Sequence, residues 1–438
     1  MKQTILLIIG LFLVFPVFAQ YTVRGGTGAP LLAETDTRNK IQVYLLNGLS
    51  GAEISFTSDS GTHQWYKYQT RPSEAVAIPC QQTGNTSTIT DISDGFGYFV
   101  GLNKPDPFPE DPNSTSYIWI IDYSKPNILS LSVQEREDQC EYLRLTAHVE
   151  AKPLQYHSYS GATISLQRTY HLLFSNLKWD EVALAFVPKA EDLPQTGIIS
   201  EIVIDPPPLK NTIFTLAGDD YANHFGLEQR VTTPEYEAVA LEVHATMTAL
   251  KEENENEQSA GSGETDFSAP VEIKFTAYAN DVAARYMRWK IMKINEKDSV
   301  TVAQDEKESL IHSFKESGNY VAQLEVDDRH CFDNSQVFNL FIGDSDLRLP
   351  NAFSPGSSIG VNDEYRVSYK SLVSFKASIY NRWGNLLFHW EDPAQGWDGK
   401  AGGRYVPTGV YFIVVEAKGA DGKTYTRSSD INVLRSKN

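Results

Sequence analysis

What most limits the folds open to this chain is a repeated switch between short alternating runs and turn-forming residues. Residues 142–149 show it. Tyr142, Arg144, Thr146 and His148 fall on one side of an extended backbone, and Leu143, Leu145, Ala147 and Val149 fall on the other. A period of two belongs to a half-buried strand, because successive side chains leave opposite faces of the pleat. Similar runs occupy residues 40–46, 53–57, 117–122 and 271–278, each bounded by Gly, Asn, Asp, Ser or Pro. Apolar residues at helical spacing are scarce. Many short strands with regular turns predict an all-β chain of serial immunoglobulin-like β-sandwich domains.

The chain begins MKQTILLIIGLFLVFPVFAQ. Lys2 supplies a positive start, residues 5–15 are apolar, and Val17 and Ala19 fit the small-residue positions of a cleavage site. That pattern predicts a signal peptide over residues 1–19. The apolar run is short of the roughly 20 residues a membrane-spanning helix needs. No later window is apolar enough for a transmembrane segment in the mature chain, and no cysteine follows the cleavage point to carry a lipid. The 438 residues leave room for several domains of about 100 residues each. The net charge of −18 becomes −19 without Lys2 and disfavours nucleic acid and anionic lipid as partners. Three cysteines make no disulfide scaffold and no CxxC pair. Cys80 and Cys140 are candidates for one bridge in an oxidising compartment, with Cys331 left over.

Composition sets the expected divisions. Residues 20–123 form an N-terminal immunoglobulin-like domain with Trp65 in its core. Tyr66, Tyr68 and the loop at residues 94–98 (DGFGY) are expected at its surface, suited to binding. Residues 101–116 carry four prolines and read as a loop. Residues 124–250 are a middle β-sandwich region of one or two sub-domains, interrupted at Pro206, Pro207 and Pro208. Residues 251–267 (KEENENEQSAGSGETDF) are acidic and nearly devoid of apolar side chains. They read as a flexible linker or loop, or as a long insertion within a domain.

Two blocks follow. Residues 268–344 include YMRWKI at 286–291 and LIHSFKESGNYVAQLEVDDRHC at 310–331. This resembles the PKD-like branch of immunoglobulin-like sandwiches, with Trp289 in the core. Residues 345–438 contain, in order, LPNAFSPGSSIGVNDEY (349–365), IYNRWGNLLF (379–388), GWDGKAGGRYVPTGVYFIVV (396–415) and DINVLR (430–435). That ordered set resembles the gliding motility-associated C-terminal domain, the type B sorting domain of the type IX secretion system in Bacteroidota. The motif residues are Pro350, Asn351, Phe353, Pro355, Asn362, Asp363, Tyr380, Asn381, Arg382, Trp383, Gly384, Gly396, Trp397, Asp398, Gly399, Pro407, Gly409 and Tyr411. The loop GSSIGVND departs from the family's more Asp/Gly-rich form. The resemblance implies export across both membranes, recognition by the type IX machinery, and an outer-membrane partner of the PorP/SprF-like kind.

The same residues have structural roles. Asn381–Gly384 and Asp398–Gly399 are turns. Residues 410–415 are apolar on both faces, which predicts a strand covered on both sides. Trp383, Trp390 and Trp397 are expected to build a small sandwich rather than a sugar platform.

The sequence carries no His-Glu-x-x-His and no Gly-x-Gly-x-x-Gly opening a helix. The GKT at 422–424 has Ala417 where a phosphate loop needs its first glycine, so it reads as a hairpin turn. Asp327, Asp328, Arg329, His330 and Cys331 read as a polar turn, and Asp219–Asp220 as a turn with solvated carboxylates. His148, His157 and His171 are a weak candidate for metal. No cofactor and no catalytic residue is assigned. The expected function is a non-catalytic secreted or cell-surface protein whose N-terminal domains bind an unknown extracellular ligand. The alternatives are a hydrolase with its site in residues 20–250, or a structural part of a gliding or adhesion assembly.

Overall fold

A computed structural model describes residues 20–58, 61–102, 116–135, 139–251, 254–280, 286–357 and 360–435. The expected signal segment, residues 1–19, lies outside them, as does most of the proline-rich loop. Among the described residues no helix is long and apolar enough to cross a membrane. Regular structure among the described residues is nearly all strand, arranged as successive sandwiches, each with its own apolar core.

The first sandwich packs a four-stranded sheet (Gln20–Arg24, Glu53–Thr57, Thr86–Ile89, Gln81–Thr83) on a six-stranded one. In the larger sheet Tyr117–Asp122 pairs parallel with Ile41–Leu46 and antiparallel with Phe96–Leu102. Trp65 fills the core as expected, and its Nε1 donates to Ser87 Oγ at 2.8 Å. Tyr117 through Ile121 are all buried, so this sheet is covered on both faces. The outer cover comes from later in the chain: the hairpin Gln155–His157 with Thr163–Ser165, and the short helix Asp220–His224. That cover corrects the expected exposed aromatics. Tyr66 stacks on Phe99 with centroids 5.1 Å apart, Tyr68 lies edge-on to Trp119, and both are buried.

The second sandwich sets Asn127–Val133, Leu143–Glu150 and Glu201–Ile204 against Ala185–Thr196, Thr169–Asp180, Thr215–Gly218 and Gln229–Thr232. Leu143, Leu145 and Ala147 are buried, as the alternation requires. The third begins earlier than expected. Val243–Ala249 pairs with Val271–Ala279 around a core that holds Trp289. Residues 251–267 are therefore an excursion within the third sandwich and not a free linker between domains. Its described part docks on the last domain. Asn256 Nδ2 donates to Val367 O (2.8 Å) and Pro393 O (2.7 Å), and Gln258 N donates to Tyr369 O (2.7 Å). Polar groups tie this segment down without an apolar core of its own, which is why composition alone suggested flexibility.

The expected Cys80–Cys140 bridge is corrected too. Cys140 is bonded to Cys331, 191 positions away, with Cα atoms 5.6 Å apart. Cys80 is free in the first sandwich, where burial pushes its thiol up. The bridge fastens a loop of the second sandwich to the third. Beside that junction Asn280, fully buried, donates to Leu209 O and Ala240 O and accepts from Glu242 N. Trp179 stacks on His244 with centroids 4.3 Å apart.

Candidate functional site

The last domain is a five-stranded sheet ordered Ala352–Phe353, Thr424–Val433, Gly409–Gly419, Leu372–Tyr380, Leu386–Trp390, with three small two-stranded pairs folded over one face. The motif residues separate into two groups. One surrounds Trp397, which is fully buried and donates from Nε1 to Lys400 O at 2.8 Å. Phe353 lies 5.4 Å and Tyr411 5.8 Å from its ring. Tyr411 donates to Pro407 O, Tyr365 donates to Pro350 O, and Asn432 N donates to Asn351 O. Asp398 Oδ1 accepts from Lys400 N, which shapes the turn. Gly399 follows with φ +77° and lies against Pro355, where a Cβ would come within 2.7 Å. Glycine is required there by both backbone and space. Gly396 pairs with Arg366, and Asn362, at φ +54°, accepts from Ser354 N. Asp363 Oδ2 accepts from Gly360 N, and Gly409 opens the strand Gly409–Gly419 opposite Val433.

The second group is a hairpin tip. Asn381 Oδ1 accepts from Trp383 N and Asn385 N, Gly384 takes φ +82°, and Tyr380 leads in from the strand. Trp383 is 70% exposed under the Arg382 guanidinium, 4.2 Å from its centroid. Of the three tryptophans, Trp390 and Trp397 are buried and Trp383 stands free. The strand expected to be covered twice is covered once. Tyr411, Ile413 and Val415 face the core, while Val410, Phe412 and Val414 face outward.

Residues 347–431 match the family model described as the CHU_C Type IX secretion signal domain. The C-terminal domain of this chain is a type IX secretion signal domain. Residues 132–233, the second sandwich, match the model of a fibronectin type III domain. No curated protein compared with the chain matches it. Among solved structures, the three N-terminal domains of the bacteriophage RB49 Highly Immunogenic Outer Capsid protein (Hoc) are similar. Identity is 11% and the TM-score 0.21, over 71% of this chain and 100% of that one.

The signal domain is joined to the third sandwich through buried polar contacts. Ser371 N donates to Ser268 Oγ (2.8 Å), Ala269 N donates to Ser371 Oγ (3.2 Å), and Ser317 N donates to Ala420 O (3.1 Å). Within the signal domain itself, Ser345 Oγ donates to Asp421 at 2.6 Å and contacts Tyr425 Oη at 2.8 Å. Burial pushes the Asp421 carboxyl up, but hydrogen bonds from Lys423 and Ser345 outweigh it and bring the pKa down to about 2.

Elsewhere the polar candidates resolve into structure. Asp219 is a correction, because it is fully buried and not solvated. It caps the short helix through Ala222 N (2.7 Å), accepts from Tyr123 Oη (2.6 Å) and pairs with the buried Arg168. Burial, reinforced by Asp219, drives the Tyr123 phenol well up. Arg168 also donates to Ser124 O and Lys152 O, so one ion pair gathers the ends of two sandwiches. No sequence spacing announces it, since its members lie 51 and 96 residues apart.

The three histidines do not converge. His148 lies beside Glu150, His157 packs on Trp119, and His171 sits between Asp192 and Asp220. Hydrogen bonds to both carboxylates, Asp192 first, raise the His171 pKa. Among the described residues no group of three or more His, Cys, Asp or Glu side chains is placed to hold a metal. Asp327 and Asp328 cap the turn at Arg329–Cys331 through backbone amides.

Proposed function

We propose that this is a non-catalytic, extracellular or cell-surface protein whose signal domain presents three preceding sandwiches outside the cell, where they bind an extracellular partner. The observation that carries the reading is the match of residues 347–431 to a type IX secretion signal domain standing behind three sandwiches with separate cores. The Cys140–Cys331 bridge and the Arg168–Asp219 pair support it. The bridge fixes the second sandwich against the third, and Tyr123 Oη on the paired Asp219 ties the first to the second, which suits a stiff display arm. The exporting machinery is the partner of the signal domain, and a PorP/SprF-like outer-membrane protein is the component we assign to it.

Protease shaving of intact cells tests this. Cells would express either the full chain or a version stopped after Asp344. The full chain should be cleaved at the surface or found in the medium, and the shortened one protected in the periplasm. Equal arrival of both outside would overturn the reading.

A further inference from the structure

The outer face of the six-stranded sheet in the first sandwich has two covers, and they are built differently. At one end lies the helix Asp220–His224 with its polar groups bonded. Asp219 serves Ala222 N, Tyr123 Oη and Arg168, Tyr221 Oη donates to Gln167 O, and His224 Nε2 bonds Ala29 O. At the other end lies the hairpin of Gln155–His157 with Thr163–Ser165. Among the described residues its strands pair with each other and with no strand of the sheet below. Leu154, Tyr156 and Leu166 are buried against that sheet. Two hydrogen bonds from the hairpin reach the first sandwich among the described residues, Tyr156 Oη to Asp36 Oδ2 (3.1 Å) and Tyr159 N to Asn39 Oδ1 (3.4 Å).

Polar groups are stranded beneath the hairpin. Tyr68 Oη, Tyr117 Oη and Trp119 Nε1 on the sheet, and His157 Nδ1 on the hairpin, are buried without a hydrogen-bond partner. They stand close together. The His157 ring lies 5.4 Å from Trp119, and Tyr68 lies 5.7 Å from Trp119 and 5.9 Å from Tyr117. Buried polar groups in folded proteins are nearly always paired, and each one left alone opposes the burial that strands it. The hairpin's apolar contacts therefore work against a desolvation cost that the helix, with Asp219, Tyr221 and His224 bonded, does not carry.

The hairpin also has room to move and a base to move on. A cleft of about 870 Å³ separates its base from the second sandwich, lined by Lys152, Leu154, Gln167, Arg168, Ile198 and Ile199 among others and by no residue of the first sandwich. Ile198 is 99% exposed and offers the moved hairpin an apolar contact. At the base, Arg168 Nη2 donates to Lys152 O (2.8 Å), Leu166 N donates to Leu154 O (2.8 Å), and Lys152 Nζ bonds Asp94 (2.8 Å).

We propose that residues 154–166 form a strap that swings as a unit between a closed position on the first sandwich and an open one toward this cleft. Opening gives water access to Tyr117 and Trp119 while the helix stays in place. The strap thus gates the aromatic face of the first sandwich, and the gating does not depend on the export reading above. Local opening of this kind draws on the least stable contacts of a fold.

Hydroxyl-radical oxidation of the purified chain, read by mass spectrometry of its peptides, tests the strap. Trp65 is the internal reference, because it is fully buried on the other face of the sheet with its Nε1 bonded. Trp119 should oxidise at least about tenfold faster than Trp65, although both are buried in the closed position. Tyr123, under the helix, should react no faster than Tyr98 in the core. Y156F removes the bond to Asp36 and should raise Trp119 oxidation about fivefold. Y68F/Y117F removes two stranded hydroxyls at unchanged ring shape and should lower it about fivefold. Thermal scans check that the variants fold, and Y117F alone replaces the double variant if that one does not. Equal oxidation of Trp119 and Trp65 would overturn the strap. Trp119 and Tyr123 reacting together would overturn it too, because the whole cover would then lift. A Y68F/Y117F chain as reactive as the parent would show that the hydroxyls were never stranded, with the same consequence.

Discussion

Replacing Asp219 with alanine takes the partner from three groups at once. Arg168, 6% exposed, keeps its charge but loses its only carboxylate among the described residues, and breaking a buried pair from one side costs about 3–5 kcal/mol. The helix loses its cap at Ala222, worth about 1 kcal/mol, and Tyr123 Oη loses its acceptor, worth about 1–3 kcal/mol. These losses share one carboxylate and do not add, so the net effect should be about 4 kcal/mol. Arg168 still holds Ser124 O and Lys152 O, which keeps the figure from rising further. A multi-domain chain has no single unfolding free energy, so the local readout is hydrogen exchange followed by mass spectrometry on peptides spanning residues 215–225. At 1.4 kcal/mol per decade, exchange there should accelerate about a thousandfold. The double variant R168M/D219L removes the stranded charge. It should recover about 1–2 kcal/mol, although Tyr123 and two carbonyls stay unpartnered. An effect of D219A below about 1 kcal/mol, or a double variant worse than the single one, would refute the account of an uncompensated buried charge.

Two further outcomes follow from the signal domain. Trp397→Ala should cost about 3–5 kcal/mol in a thermal or urea scan, because it opens a cavity beneath Phe353 and Tyr411, while Trp383→Ala should stay within about 0.5 kcal/mol. Asp421 binds a proton near pH 3.8 when unfolded and near 2 when folded, so its contribution is complete above about pH 4 and drains away as pH falls toward 2. A D421N variant should therefore melt below the parent at pH 6 and converge with it near pH 2, as read in paired thermal scans. A gap that stayed constant down to pH 2 would mean that Asp421 acts through shape alone.

The fold was legible wherever one strand face meets a core and the other meets water. Leu143, Leu145 and Ala147 in the second sandwich, and Trp65 and Trp289 in the first and third, lie where period and turn spacing put them. The ordered motifs of the C-terminal block were equally informative, because each is a turn or aromatic contact that the domain needs locally. What failed has one physical origin. Alternation says which side chains leave a strand together but not how many layers cover each side. Tyr66 and Tyr68 looked free because their cover, the hairpin at residues 155–165 and the helix after Asp219, arrives about 90–150 residues later.

The strand at Gly409–Gly419 misled in the opposite direction. Its two apolar faces promised two covers, and the described residues supply one. The cysteines belong with these cases. Cys140 and Cys331 meet only because two sandwiches dock, and nothing in their spacing separates that pairing from one with Cys80. Misreadings of burial therefore occur where separate stretches of chain meet, or where the chain leaves a face uncovered. The first kind is resolved once the sandwiches are assembled, as at Tyr66, Tyr68, Asp219 and the disulfide. The second kind survives assembly, and it survives on the outward face of the signal domain. A sequence that prepares a strand for burial, in a domain whose described residues leave one face of it bare, has the surface chemistry of an interaction site.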